Sequence, residues 1–130
     1  MDINNPVIQL CIQGTQAEFR GNIQQACREY EKAWKIAQND YEACIAAHYL
    51  ARHQENPQDA LRWNAEALRS AEAFQRAQAE TVPRLQGPDV AEFLPSLYLN
   101  MGQSYERLGD LTEANRYYEV AASLGFPHQD

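Results

Sequence analysis

Apolar positions along this chain recur at the three-and-four spacing of one helical face. From Ile23 they are Ile23, Ala26, Cys27, Tyr30, Ala33, Trp34 and Ala37, a pattern that predicts a helix with one buried side. Arg20-Gly21-Asn22 precedes it. Gly21 can take positive φ to close one helix, and Asn22 can cap the next. The same grammar returns twice. Glu55-Asn56-Pro57 offers a cap and a proline at the first helical position, where a missing N–H costs nothing. Gly109-Asp110-Leu111-Thr112-Glu113 reads as a turn and a capping box, with Asp110 accepting backbone N–H groups and Glu113 reaching back. The middle turn lacks a glycine, which predicts slight strain at that helix end.

These segments are copies of one another. Asn22, Ala26, Ala33 and Trp34 recur 34 residues on as Asn56, Ala60, Ala67 and Leu68. An offset of 88 places Gly14 on Gly102, Gly21 on Gly109, Ala26 on Ala114, Tyr30 on Tyr118 and Ala33 on Ala121. The second and third copies are 54 residues apart, one 34-residue period plus 20 residues inserted between Ala71 and Phe93. A fixed period of this size is the mark of a solenoid of stacked helix pairs. We therefore expect an all-α fold: one domain over residues 1–130, with repeats at about 6–38, 41–80 and 89–124 and about six helices. The helix from Asn56 is expected to run to about Glu80, followed by a loop holding Pro83 and Gly87-Pro88. Asp89 and Glu92 then cap a long helix to about Leu108, kinked at Pro95. Alanines at 26, 60 and 114, and at 33, 67 and 121, mark close helix approaches. Gly14 and Gly102 do the same on the first helices, while His48 stands at the matching middle position.

Tyr98, Met101, Gly102, Tyr105, Gly109, Asp110, Ala114, Tyr118 and Ala121 resemble the tetratricopeptide repeat. The first copy is similar at Leu10, Gly14, Gly21, Ala26, Tyr30 and Ala33, and the second mainly at Ala47, Ala51, Ala60 and Ala67. Gly87-Pro88-Asp89-Val90-Ala91 before a long helix resembles the extended repeats of kinesin-light-chain-type proteins. The resemblance implies a concave groove, lined by the first helix of each pair, that holds a peptide or protein segment. On it we expect Cys11, Thr15, Ile45, Tyr49, Leu99, Asn100 and Gln103, with Arg52 and Arg107 at the edge beside Glu18, His53 and Glu106. Chaperone-binding members of the family grip a terminal carboxylate with lysine, asparagine and arginine in that groove. Cys11, Ile45 and Leu99 stand at those places here, so no such clamp is expected.

Composition narrows the partner. Eighteen acidic against eleven basic residues give a net charge of −7, a field that repels nucleic acid and anionic membranes. No apolar run reaches the roughly 20 residues of a membrane span, and the first residues lack the features of a secretory signal. The expected location is the cytoplasm, and three cysteines, Cys11, Cys27 and Cys44, fit reduced thiols there. Cys44, His48 and His53 lack the spacing and number of a zinc set, and a buried cysteine packs as a small hydrophobe. No nucleophile setting or phosphate loop is present, so we expect no enzyme and no cofactor.

Two other readings stay open. The last helix ends the stack six residues from the terminus, and Tyr117, Tyr118 and Val120 can form a homodimer contact unless Phe126 and Pro127 fold over them. A regulatory sensor of a peptide or small ligand is the other.

Overall fold

A computed structural model describes residues 3–80 and 90–125. Within them the protein is all-helical: α1 (Pro6–Phe19), α2 (Ile23–Ile36), α3 (Asp40–Ala51), α4 (Pro57–Ala79), α5 (Leu94–Arg107) and α6 (Leu111–Ser123). Each helix packs most extensively on its pair partner, α1 on α2, α3 on α4 and α5 on α6. The pairs meet through α2 on α3, α4 on α5 and α1 on α3. The expected loop over Pro83, Gly87-Pro88 and Asp89 lies outside the described residues, as do Phe126 and Pro127.

The helix starts follow a rule finer than the 34-residue period. Asn5, Asn22, Asn39 and Asn56 cap the first four helices, each accepting one or two backbone N–H groups through its side chain. They are spaced by 17 residues, half a repeat, and each such cap stabilises its helix by about 1 kcal/mol. At the helix ends, Gly21 (φ 79°) and Gly109 (φ 82°) adopt the left-handed conformation. Asn22 N–H then donates to the Ala17 carbonyl at 2.9 Å, and Asp110 N–H to the Tyr105 carbonyl at 3.0 Å, the pattern that closes a helix at a glycine.

Three expectations change here. The middle turn carries no left-handed strain: among the described residues no non-glycine has positive φ. It is longer, with α3 ending at Ala51 and α4 beginning at Pro57, so the chain turns without a left-handed residue. The capping box at Asp110 is half formed. Asp110 accepts from Glu113 N–H at 3.1 Å, but its own N–H is already used by Tyr105, and the Glu113 carboxylate pairs with Arg116 instead. The helix expected over Asp89–Leu108 begins only at Leu94, so Pro95 sits in its first turn and kinks nothing. Lengthening is confined to α4, which at 23 residues outruns the 12 to 14 of the others. Its extra turns hold Phe74 against α3 and Glu72 against α5. The Phe74 ring lies 5.6 Å from that of Tyr41, which also stacks at 6.3 Å on Phe93, and Glu72 accepts from the Tyr98 hydroxyl at 2.8 Å.

The six repeat alanines are all buried. A second repeated contact explains the two first-helix glycines. A Cβ added at Gly14 would lie within 2.8 Å of three Tyr30 ring atoms, and one at Gly102 within 3.0 Å of three Tyr118 ring atoms. Each tyrosine runs across its glycine and donates its hydroxyl to a glutamate one turn further along the first helix. Tyr30 donates to Glu18 and Tyr118 to Glu106, the latter at 3.0 Å. The two triads are related by the same offset of 88.

Candidate functional site

The middle pair departs from that triad at all three positions. The places of glycine, glutamate and tyrosine are held by His48, Arg52 and Asn64, and Arg52 and Asn64 bond outside their own pair. Arg52 pairs with Glu18 of α1 at 3.0 Å, and Glu18 also contacts His53 Nε2 at 2.6 Å. Asn64 donates to the Ser104 hydroxyl of α5 at 2.8 Å, with both residues buried. His48 Nδ1 is buried and has no hydrogen-bond partner among the described residues. Burial, with the Arg52 charge adding to it, holds His48 below the usual histidine range, so its ring is neutral near pH 7.

Glu18 is the most connected of these groups. Burial pushes its carboxyl up, but hydrogen bonds from Tyr30 and His53, with the charges of Arg52 and His53, outweigh it and leave the group below the ordinary value. On the tyrosine side, burial and then the bond to Glu106 push the Tyr118 phenol up to about 12.

Two clefts open between α3 and α5 and share His48. The first, of about 220 Å³, is mostly apolar: α3 contributes Cys44, Ile45, His48 and Tyr49, and the start of α5 contributes Phe93, Ser96 and Leu97 with Glu92. The second, of about 370 Å³, is polar. Its α3 side is His48, Ala51 and Arg52; its α5 side is Asn100, Gln103, Ser104 and Arg107; Ala60 and Asn64 of α4 close it. Arg52 lies 5.4 Å over the ring of Tyr49, which itself stacks on Tyr30 at 5.0 Å. Arg107 has no ion-pair partner among the described residues.

Among the residues that the sequence placed on a groove, the structure brings together Ile45 and Tyr49 in the first cleft and Arg52, Asn100, Gln103 and Arg107 in the second. Leu99 is half-buried and lines neither. Thr15 donates to the Cys11 carbonyl at 2.9 Å and stands beside the Tyr30 hydroxyl. Cys11, at 2 % exposure, belongs to the core, and only the edge of Ile45, at 5 %, reaches a cleft. These two positions face inward because α1 and α3 touch each other as well as their partners. The thiols of Cys11 and Cys44 are pushed up to about 12 by burial, which keeps both protonated and poor metal ligands. No group of three or more histidine, cysteine or acidic residues placed to hold a metal occurs among the described residues.

The residues expected at a dimer contact are also largely spoken for. Tyr118 is 7 % exposed and lies on Gly102. Tyr117 stacks on Tyr105 at 5.6 Å and on Tyr98 at 6.2 Å. Of the three, only Val120 is exposed, as are Leu111 and Leu124 at the two ends of the same helix.

Sequence reasoning passed over Asn64, Ser104, Phe93 and Leu97. The signal for Asn64 was available: it stands at the place where both other copies carry tyrosine. Among the described residues no helix is long and apolar enough to cross a membrane. Compared with known proteins, the chain matches no family model and no curated sequence.

Proposed function

We propose that the chain is a tetratricopeptide-like solenoid of three helix pairs that binds a protein segment between the first helices of its second and third pairs, and that it has no catalytic step of its own. The architecture is supported by the triads at Gly14 and Gly102, the glycine-closed turns at Gly21 and Gly109, and the packing of each pair on its sequence neighbour. The binding reading rests on one observation above all. The middle pair alone gives up the tyrosine lock, and at that same place two clefts adjoin, one apolar and one rich in hydrogen-bond donors. An apolar pocket beside convergent polar groups is the usual form of a peptide or ligand site. A cytoplasmic setting agrees with three cysteines that are free rather than paired in disulfides.

Panning a display library of random peptides tests this. The parent should enrich peptides that the Asn100→Ala/Gln103→Ala variant no longer holds, with the helical circular dichroism and melting midpoint of that variant unchanged. Tyr49→Ala should abolish capture as well, but it also removes the stack on Tyr30 and therefore needs the milder variant beside it. Peptides that bind parent and both variants alike would remove the groove from the account.

Self-association is a second reading, carried by the exposed Leu111, Val120 and Leu124 on the last pair. Light scattering at high micromolar concentration decides it: a monomer ends that reading, and a dimer that Val120→Asp dissolves supports it.

A further inference from the structure

Resting on the groove reading above, the charge distribution also identifies what the groove recognises. The chain carries a net charge of −7, yet the polar cleft is lined by two arginines, a histidine and four side-chain amide or hydroxyl groups, with no carboxylate in its walls. Arg52 is held in place from one side by Glu18 and over Tyr49 on the other. Arg107 faces it from the last turn of α5 without an ion-pair partner among the described residues. A guanidinium offers a planar fork of donors that suits a carboxylate. Asn100 and Gln103 line the same wall of α5 as Arg107, with amide donors of their own. The apolar cleft continues the channel on the other side of His48 and accepts one aliphatic or aromatic side chain against Ile45, Phe93 and Leu97.

The spacing sets the register. The apolar lining on α5 centres near Ser96 and the polar lining near Gln103, a helical rise of about 10 Å, which an extended peptide covers in about three residues. We infer that the groove takes an acidic peptide segment in extended form, with an apolar side chain in the Phe93 cleft and an aspartate or glutamate three residues away between Arg52 and Arg107. The acceptor is a side-chain carboxylate of a protein partner, set against a cleft whose walls carry two arginines and no carboxylate on an acidic molecule.

The test uses the full chain, labelled with 15N, and two capped tetrapeptides, acetyl-Leu-Gly-Gly-Glu-amide and acetyl-Leu-Gly-Gly-Gln-amide, which have no terminal charges. The glutamate peptide should shift the signals of α3 and α5 and the Arg107 side chain, and bind about tenfold more tightly than its glutamine partner, the usual effect of one charge-assisted hydrogen bond at an open site. Raising salt should narrow that difference. Arg107→Gln, an exposed helix position, should leave the remaining spectrum in place and bring the two peptides to parity. Equal binding by both peptides in the α3–α5 channel would overturn acidic recognition and leave the groove standing. Silence of both, where library-selected peptides still bind there, would overturn it too. If the library peptides also fail, the groove reading itself falls.

Discussion

The outer helix pairs and the middle one solve the same packing problem in opposite ways. In the first and third pairs a glycine lets a tyrosine lie flat across the first helix, and a glutamate one turn on takes its hydroxyl. The tyrosine hydroxyl of each triad finds its acceptor inside its own pair. In the middle pair all three residues change together. His48 takes the place of the glycine, the shorter Asn64 that of the tyrosine, and Arg52 that of the acceptor. Polar groups released from the internal lock then reach outward, Arg52 to Glu18 of the first pair and Asn64 to Ser104 of the third. The middle pair thus links the pairs on either side of it and, at the same residues, borders the two clefts. Neighbours on both sides take over the hydrogen bonds of Arg52 and Asn64, which matters because a buried polar group without a partner costs about 1–3 kcal/mol; His48 Nδ1 alone of the set stays unpaired among the described residues.

The largest effect should come from forcing the middle solution onto an outer pair one residue at a time. Gly102→His places a ring where the Tyr118 ring already lies, and overpacking of this kind costs about 3 kcal/mol. Adding Glu106→Arg and Tyr118→Asn completes the middle set and should restore at least half of that loss, since the tyrosine that made the clash is gone. Urea unfolding of the single and triple variants measures both. A triple variant no more stable than the single one would show that the three positions do not act as a unit.

Next in size are the groups that carry the hydrogen bonds. Asn64→Ala leaves the Ser104 hydroxyl buried without its donor and opens a small void, a loss of about 2 kcal/mol. Tyr118→Phe removes only the hydroxyl from Glu106, which is exposed and can turn to water, so about 1 kcal/mol is expected. Chemical denaturation ranks the two, and the reverse order would mean that the outer lock carries more than the link between pairs. Gly109→Ala comes third, near 1 kcal/mol. Its added Cβ meets nothing within 4 Å, so the whole cost is that of a left-handed backbone.

Much of this was legible in the residues themselves. The period, the helix pairs, the alanine contacts and both turn glycines follow from spacing, because close approach and positive φ admit few residue types. The long α4 followed from Leu68, Ala71, Phe74 and Gln78 keeping the helical period. What escaped depended on partners distant in sequence. Whether Cys11 and Ile45 face a groove or the core turns on how α1 sits on α3, and no local pattern states that. Pro95 read as a kink because the start of α5 was placed at Asp89, and only the backbone shows the helix beginning at Leu94. The polar cleft was missed as a unit because Asn64 and Ser104 meet across 40 residues, although four of its other members had been singled out.

The smallest effect distinguishes the two regions by acid. Glu18 belongs to both, as the acceptor in the first pair's triad and the partner of Arg52 and His53 from the middle pair. Its carboxyl is held below the ordinary value by those bonds, so the unfolded chain takes up a proton at higher pH than the folded one. Stability from this group is then fully present above the unfolded value of about 4.3, and is lost as pH falls through the lower folded value. His48 adds a loss in the same direction at higher pH. Its folded value also lies below the usual one, so unfolding takes up a proton as pH drops below about 6.5. Glu18→Gln should flatten the lower part of the stability profile and leave the upper part in place, whereas His48→Gln should do the reverse. Denaturation midpoints collected between pH 7 and pH 3.5 separate them. If Glu18→Gln flattens both parts equally, the two groups titrate as one network, and the middle pair's polar set is not independent of the first pair's lock.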